Sequence, residues 1–347
     1  KPLDDREPFS DLQFREKTKL NLQNGVLNLE NMELLPNSPE YIFLGKFPIK
    51  FDPEAQCPTW EKFLKTTLPT EHILTLQEFI GYCLIPDTRF QKALLLYGRG
   101  ANGKSIVVNT INNLFGDYYS AKEPLNRLQG NQFAAHNLIG KLVNTSSETV
   151  SYSGPELDLF KAIVSGDEIT VEQKYSAAKS IRPTARLIFA SNHMLKSGDD
   201  SEGNYRRWII IPFTNVFKGE KADVFLQDKI NKELPGILNW AIVGLKRLYK
   251  NGKFNYLDEE TIEQLKYGND SGLRFIRDNF TVTGEQCDRY TKRQLYTLYK
   301  EWSDYEGHKP VSGMTFEERL ANVEGIALRN HSRVKVYTGL KANEEEI

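Results

Sequence analysis

The sequence predicts an α/β protein whose core is a parallel sheet flanked by helices, on two observations. Several short apolar runs have the length and composition of strands buried on both faces. These runs are Ala93–Leu96, Leu142–Thr145, Ala185–Asn192 and Trp208–Phe213. In addition, the first run leads through a glycine-rich loop into a predicted helix at 106–114. Strand, glycine-rich loop and helix in this order are typical of a phosphate-binding site.

The glycine-rich loop matches the pattern G-x-x-x-x-G-K-S at every fixed position. Glycines let main-chain N–H groups approach a polyphosphate without a Cβ in the way, and the following helix points further N–H groups at the same anion. We expect Lys104 to reach the β- and γ-phosphates of ATP and the Ser105 hydroxyl to bind Mg²⁺. The predicted nucleotide-binding residues are Gly98, Gly100, Ala101, Asn102, Gly103, Lys104, Ser105 and Ile106.

Length and composition limit the remaining possibilities. The 347 residues allow two or three domains, and 39% hydrophobic with 26% charged residues is typical of a globular protein. Without a membrane-length apolar run or a secretory signal, we predict a cytoplasmic protein. The net charge of −1 excludes a strongly basic wrapper of nucleic acid but allows a local basic groove. Because the chain starts at Lys1 rather than Met, we expect a fragment or a processed form.

Cysteine usage and module boundaries complete this outline. The three cysteines fit neither a zinc spacing nor a disulfide framework, so we interpret them as incidental thiols. Predicted helices and strands group into an N-terminal α+β module, a nucleotide-binding core, and a helical linker with a winged-helix-like end. The predicted modules are 1–88, 89–250 and 251–347. For the last module, contact with DNA and docking of a protein are equally consistent with its scattered basic residues.

Two polar residues follow predicted strands of the core, at the edge where open α/β sheets bind ligands. Glu148 follows the strand at 142–145 and is our candidate for orienting or deprotonating the attacking water. Its neighbour is Ser147 rather than a second acid, so we expect any contact between Glu148 and the metal to be weak or through water. Asn192 suits a sensor of the γ-phosphate, with a turn or cap role as its alternative.

Two arginines, Arg206 and Arg207, stand directly before the strand at 208–213. A guanidinium is permanently charged and can stabilise charge on a transferring phosphoryl group, so this position suggests an arginine finger. The alternative is a salt bridge to a neighbouring strand end, and we expect one of the two arginines to do only that.

A predicted hairpin tip at 173–180 carries Lys174, Tyr175 and Lys179. Cations beside an aromatic ring could hold a nucleic-acid backbone. A solvated hairpin with extended lysines is equally consistent with these residue types.

Four stretches in this order resemble successive motifs of superfamily 3 helicases: GRGANGKS, NTSSE, FKAIVSGDEITVEQKYSAAKSIRPTARLIFASN and YRRWIIIPF. They are more narrowly similar to the phage and plasmid primase–helicases, a group that includes the poxvirus primase–helicase. NGVLNLENMELLPNSPEYIFLGKFPIKFDPEAQCPTWEKFL resembles the domain just upstream of that family's ATPase core. The resemblance covers about residues 22–215. It implies an AAA+ core in a ring, usually hexameric, with ATP between subunits.

Site residues carry over from this resemblance one at a time. Lys104 matches the P-loop lysine, Glu148 the catalytic acid and Asn192 the sensor. Arg207 best matches the finger that reaches the neighbouring subunit's nucleotide, with Arg206 in reserve.

The same resemblance matches Lys174 and Tyr175 to the hairpin that lines the central pore and holds single-stranded DNA. The single acid at Glu148, after Ser147, departs from the two-acid pattern of many superfamily 3 members, which leaves the Mg²⁺ ligands open. Many relatives carry an upstream primase or primase–polymerase domain, which we expect to lie outside this segment. The chain shows no such acidic cluster, so we predict no polymer synthesis by it.

The sequence therefore predicts an ATP-dependent DNA helicase that translocates on single-stranded DNA as a homo-oligomeric ring and serves replication of a mobile element. One alternative is an AAA+ initiator or loader that assembles on duplex origin DNA with little unwinding. Another is a P-loop ATPase or small-molecule phosphotransferase without a nucleic-acid role.

Overall fold

The computed structural model describes twelve segments of the chain. They are residues 16–98, 100–147, 157–172, 178–192, 202–215, 217, 223–256, 259, 261–263, 270–306, 310–332 and 334–343. These residues divide into two compact units, one within 1–262 and the other within 263–347. In the described part of the chain, no helix is both long enough and apolar enough to cross a membrane.

The first unit begins with a small antiparallel sheet followed by two helices. Its elements are β1 (Lys19–Leu22), β2 (Gly25–Asn28), β3 (Glu33–Leu35), α1 (Pro58–Thr67) and α2 (Thr70–Cys83). Strands β2 and β3 form an antiparallel hairpin. Pro58 opens α1, where its missing N–H costs nothing. The Glu233 carboxylate accepts hydrogen bonds from the N–H groups of Thr59 and Trp60 at 3.0 Å, so a distant residue completes this helix start.

A five-stranded sheet forms the centre of the first unit and confirms the predicted α/β fold. Its strands are β4 (Ala93–Tyr97), β5 (Ser120–Ala121), β6 (Val143–Ser146), β9 (Arg186–Ser191) and β10 (Trp208–Pro212). Every neighbouring pair is parallel, in the order β10-β4-β9-β6-β5. The apolar run of β4 is fully buried because helices cover both faces of the sheet.

Helices and one hairpin surround this sheet. They are α3 (Lys104–Tyr119), α4 (Leu125–Gly130), α5 (Gln132–His136), α6 (Asp158–Ser165), α7 (Glu202–Tyr205), α8 (Leu226–Asn231), α9 (Leu234–Asn251), and the antiparallel pair β7 (Ile169–Val171) and β8 (Lys179–Ile181). Lys179, predicted at the hairpin tip, instead lies in β8 opposite Val171. The prediction was wrong because the ladder continues further toward the tip than the sequence pattern indicated.

The helices α2 and α9 approach each other closely across two glycines. A Cβ on Gly81 would lie 2.3 Å from the Ala241 carbonyl oxygen, and one on Gly244 would lie 2.3 Å from the Gln77 carbonyl oxygen. One hydrophobic core extends from β1 through α1 and α2 to β4, α3 and α9, so packing is continuous on both sides of residue 88.

The second unit has its own core of aromatic side chains. Its described elements are α10 (Ser271–Asn279), β11 (Phe280–Val282), β12 (Arg289–Thr291), α11 (Lys292–Tyr305), α12 (Gly313–Leu320), β13 (Ala327–His331), β14 (Val334–Thr338) and β15 (Leu340–Ala342). Strands β12, β14 and β13 form an antiparallel sheet in that order, and β11 pairs with β15. The rings of Tyr299 and Phe316 stack at 4.5 Å in the core.

Candidate functional site

The glycine-rich loop, residues 98–103, lies at the carboxyl edge of the parallel sheet between β4 and α3. Strand β4 has β10 on one side and β9 on the other, so three strand ends meet at the loop. The Gly98 N–H donates to the Ser191 carbonyl oxygen at the end of β9, at 3.1 Å. The Phe213 N–H donates to the Tyr97 carbonyl oxygen at 2.6 Å, which joins the end of β10 to the same point.

At two positions of the loop, the surrounding atoms leave no room for a side chain larger than that of glycine. Gly98 has φ +152°, and a Cβ there would lie 2.2 Å from the Phe213 carbonyl oxygen. Gly103 has φ +92°, and a Cβ there would lie 2.9 Å from the ring of Phe63 on α1. At Gly100 a Cβ would meet nothing within 4 Å, so this part of the loop is open. The loop thus keeps a tight inner side and an open outer side, which fits a polyphosphate approaching the main chain.

Lys104 lies at the first turn of α3, and its ammonium group points back into the loop. The residue is 6% exposed, and it donates to the carbonyl oxygen of Gly98 and to Oδ1 of Asn102 at 3.0 Å. It also donates to Oδ1 of Asn192 at 3.1 Å. The structure therefore brings together Lys104 and Asn192, two residues predicted to act on the same phosphate from positions 88 residues apart.

Burial and the neutral character of these acceptors affect the protonation of Lys104. Desolvation lowers the pKa of Lys104 below its ordinary value. A bound phosphate would stabilise the charged form and raise that pKa again. Binding of a nucleotide would therefore be coupled to protonation of Lys104.

We expect the affinity for ADP to fall as the pH rises toward the ordinary lysine range of about 10.4, because free Lys104 loses its proton before an unperturbed lysine does. Titrations with a fluorescent ADP analogue between neutral and alkaline pH measure this. Lys104→Arg is the control, since a guanidinium stays charged and its affinity should vary much less with pH. An equal fall in the arginine variant would show that another group is responsible.

A cavity of about 990 Å³ opens directly beside the loop. The loop and α3 contribute Ala101, Gly103 and Ile106 to its wall. The opposite wall comes from α1, α8 and the segment after β10, through Pro58, Thr59, Lys62, Phe63, Thr66, Phe217, Asp223, Leu226 and Lys229. A mainly apolar pocket next to a phosphate loop can hold the base and sugar of a nucleotide. The sequence reasoning missed this wall because its residues are distant from the loop in sequence.

Among the described residues, Ser105 could supply a ligand for Mg²⁺. Its side chain is exposed at the start of α3, where a hydroxyl can bind a metal held by the phosphates. Strand β6 ends at Ser146, so the polypeptide reaches the carboxyl edge of the sheet just before Glu148. Glu148 itself lies outside the described residues, and its role stays a prediction.

Arg206 and Arg207 lie at the opposite edge of the sheet from the loop. Trp208 pairs with Ala93 at the start of β4, and Pro212 pairs with Tyr97 at its end. A five-residue strand spans about 13 Å along its length. The two arginines therefore lie a full strand length away from the edge of the sheet where Lys104 lies.

The structure distinguishes the two arginines. Arg207 is half-buried and donates to the Gly203 carbonyl oxygen and, at 2.9 Å, to Oγ of Ser165 at the end of α6. Arg206 is exposed, and its own carbonyl oxygen accepts a hydrogen bond from Nζ of Lys92. Arg207 is thus engaged within the chain, whereas the Arg206 side chain faces outward.

Lys92 is a further cation at this edge that the sequence reasoning did not single out. Desolvation, and then the nearby charge of Arg206, lower the pKa of Lys92. Within the described residues, neither Lys92 nor Arg206 has a carboxylate at ion-pair distance. Two cations side by side form a positive surface that could receive an anion.

The predicted DNA-binding hairpin is described only in part. Lys174 and Tyr175 lie outside the described residues. Lys179 is exposed on β8, where it forms with Val171 the ladder pair nearest the tip of the hairpin.

Comparisons with known proteins show which families and relatives the chain resembles. Residues 96–207 match the model of a family of unknown function, DUF5906, and residues 6–69 match a model described as D5 N terminal like. The chain is 23% identical over 280 residues to a protein of Acanthamoeba polyphaga mimivirus named as a helicase, covering 72% of this chain and 29% of that protein. It is 22% identical over 316 residues to a protein of African swine fever virus named as a primase, covering 82% of this chain and 33% of that protein. The chain spans about a third of the length of these relatives.

Solved structures show a similar fold. The apo A form of the NrS-1 C-terminal region aligns with a TM-score of 0.54 at 15% identity, over 86% of this chain and 80% of that chain. Another apo structure of the same region aligns with a TM-score of 0.53 at 14% identity, over 87% of this chain and 80% of that chain. At this identity the similarity shows the fold alone.

The fold and the loop define an α/β protein with a glycine-rich loop at the carboxyl edge of a parallel sheet. The matched family models and the viral relatives point to a narrower group of proteins within this fold class. The match of residues 6–69 and the two viral relatives support the phage and viral primase–helicase family that the ordered motifs predict.

Proposed function

We propose that this chain is an ATP-hydrolysing motor of the AAA+ class that forms a homo-oligomeric ring and translocates on single-stranded DNA during replication. The main observation behind the proposal is Lys104. Its buried ammonium is held by carbonyl and carboxamide oxygens at an open loop, beside a cavity of about 990 Å³ that suits a nucleoside. An ammonium that donates to neutral oxygens can exchange one of them for a phosphate, because a hydrogen bond to a charged acceptor is the stronger one.

The position of the arginines supports assembly of several subunits. Arg206 and Arg207 stand at the edge of the sheet opposite the loop, so they cannot serve the phosphate bound by their own subunit. A role in hydrolysis therefore requires the nucleotide of a neighbouring subunit. We propose Arg206 as the finger and Lys92 as a second cation beside it, because the Arg206 side chain faces outward while Arg207 is engaged with Ser165. A closed ring, hexameric in the resembled family, gives every site such a neighbour.

The relatives support a role in DNA replication. One relative is named as a helicase and another as a primase, and both are viral proteins. A helicase activity belongs to the portion that contains the ATP site. We propose that the chain supplies this portion and that polymer synthesis resides outside it.

The second unit helps to decide between a helicase and an initiator that binds duplex DNA. Its helices α10, α11 and α12, with the hairpin β13–β14, follow each other in the order of a winged helix. In such a domain α12 would be the helix presented to a DNA groove. That helix exposes Glu318 and Met314, whereas its Glu317 is paired with Lys292, and the exposed Glu318 carboxylate would repel phosphates. This surface favours the helicase over duplex recognition by α12.

We expect ATP hydrolysis by the wild-type chain to be stimulated by single-stranded DNA and much less by duplex DNA. Lys174→Ala should lose the stimulation, because the hairpin lysine is proposed to hold a backbone phosphate. Lys246→Ala, on the exposed face of α9, is the matched control and should keep it. Steady-state hydrolysis with each DNA form, together with strand separation on a forked substrate, measures both activities.

Three outcomes would contradict this proposal in different ways. Stimulation by duplex DNA without strand separation would support the initiator instead. Hydrolysis that ignores both DNA forms would leave only a P-loop ATPase. Wild-type protein that binds no nucleotide would exclude the ATP site itself.

A further inference from the structure

Asn102 is a residue of the glycine-rich loop whose side chain does not face the open side of the loop. It is 2% exposed, although it occupies one of the variable positions of the motif. Its Nδ2 donates to the Phe213 carbonyl oxygen at 2.9 Å. Its Oδ1 accepts from the ammonium of Lys104 at 3.0 Å. The carboxamide therefore joins the end of β10 to the lysine that is proposed to bind phosphate.

The space around this carboxamide is filled. A Cβ on Gly98 would lie 2.6 Å from Nδ2 of Asn102 and 2.2 Å from the Phe213 carbonyl oxygen. Gly98 consequently leaves room for the link between Asn102 and β10. Because both polar ends of a buried carboxamide have partners, its orientation is fixed.

From this geometry we propose that Asn102 is a positioning residue for Lys104, an inference that rests on the proposed ATP hydrolysis. When a polyphosphate binds, the Lys104 ammonium must turn toward it and give up at least one neutral acceptor. Asn192 lies at the end of β9, whereas Asn102 is anchored to β10. An acceptor fixed to the sheet keeps the ammonium aimed at the γ-phosphate as charge develops there. Asn102 acts through Lys104 and does not itself contact the nucleotide.

Only a carboxamide fits both partners. Aspartate at position 102 would present two acceptor oxygens, so one carboxylate oxygen would face the Phe213 carbonyl oxygen without a proton between them. It would also pair with the Lys104 charge and compete with the phosphate. Alanine would leave the Phe213 carbonyl oxygen and the Lys104 ammonium without this link.

The test compares Asn102→Ala and Asn102→Asp with wild type in the full chain. Asn102→Ala should lower kcat for ATP by about 10²-fold, the size of effect expected when a reacting group is misplaced by about 1 Å. Its Kd for ADP, which lacks the γ-phosphate, should change by less than about threefold. Asn102→Asp should also raise KM for ATP, because the new carboxylate competes for Lys104. Asn113→Ala, an exposed position on the same helix α3, is the matched control and should resemble wild type in every measurement.

The variant Lys104→Ala distinguishes misplacement of the Lys104 ammonium from loss of the whole nucleotide site. If Asn102→Ala loses ADP binding together with kcat, as Lys104→Ala should, Asn102 only maintains the shape of the loop and the inference is wrong. Wild-type kcat and KM in Asn102→Ala would also overturn it while leaving the proposed ATPase intact. A wild-type chain that hydrolyses no ATP would overturn the proposed function and this inference with it.

Discussion

Replacing Arg206 by alanine is expected to lower ATP turnover by about 10³-fold, the lower end of the contribution of an arginine finger. Nucleotide binding should stay near the wild-type value, because Arg206 lies at the edge of the sheet away from its own loop. Steady-state hydrolysis and titration with a fluorescent ADP analogue measure the two effects separately.

Mixing experiments decide whether Arg206 acts on a neighbour. Arg206→Ala has an intact loop, and Lys104→Ala has an intact arginine, so a mixed ring contains some interfaces with both. Turnover should therefore reappear when the two inactive variants are combined. Arg207→Ala is the matched control, and we expect it to retain turnover because Arg207 is engaged with Gly203 and Ser165 in its own subunit.

The same experiment tests the preference that the sequence suggested for Arg207. Loss of turnover in Arg207→Ala, with recovery on mixing, would make Arg207 the finger and show that its contacts with Ser165 are exchanged on assembly. Full activity of both single variants would contradict a finger from this strand and would weaken the ring proposal.

Replacing Arg247 by leucine is expected to lower the free energy of unfolding by about 3–5 kcal/mol. Glu78 on α2 has no exposed surface, and Arg247 on α9 donates to its Oε1 at 2.7 Å. The same guanidinium also donates to Oε1 of Gln77 and the Leu74 carbonyl oxygen, each at 2.8 Å. Without Arg247 a carboxylate would stay buried with only the Asn255 N–H, at 2.7 Å, among its described partners. Urea denaturation followed by circular dichroism measures the loss.

A pair of variants separates the buried charge from simple loss of packing. Adding Glu78→Gln to Arg247→Leu should recover a large part of the lost stability, because a neutral carboxamide oxygen can still accept from the Asn255 N–H. Lys246→Ala, one residue away on the exposed side of α9, should change stability very little. A loss below about 1 kcal/mol in Arg247→Leu would show that water reaches Glu78 and that the ion pair contributes only as a surface pair does.

Local patterns determined much of this protein from the sequence. The apolar runs that form β4, β6, β9 and β10 are short and continuous, so their strand character follows from composition and length. The start of α11 is likewise local, because Thr291 forms a capping box with Gln294 three residues later. The glycine-rich loop was located for the same reason, since its glycines and its flanking strand and helix are neighbours in the chain. Ordered motifs also placed the chain with the primase–helicases, because their order and spacing are properties of the linear chain.

The tertiary structure decided which distant residues meet. Asn192 reaches Lys104 because β4 and β9 are parallel neighbours whose carboxyl ends coincide. Lys92 lies beside Arg206 because β10 pairs with β4 across more than a hundred residues. Likewise, α1 forms a wall of the cavity only because it packs on Gly103. Hydrophobic periodicity carries no information about such pairings, which depend on strand order and on the packing of helices over the sheet. The sequence by itself thus determined the elements and the glycine-rich loop, and the tertiary structure decided their partners, from the Asn102 link to the difference between Arg206 and Arg207.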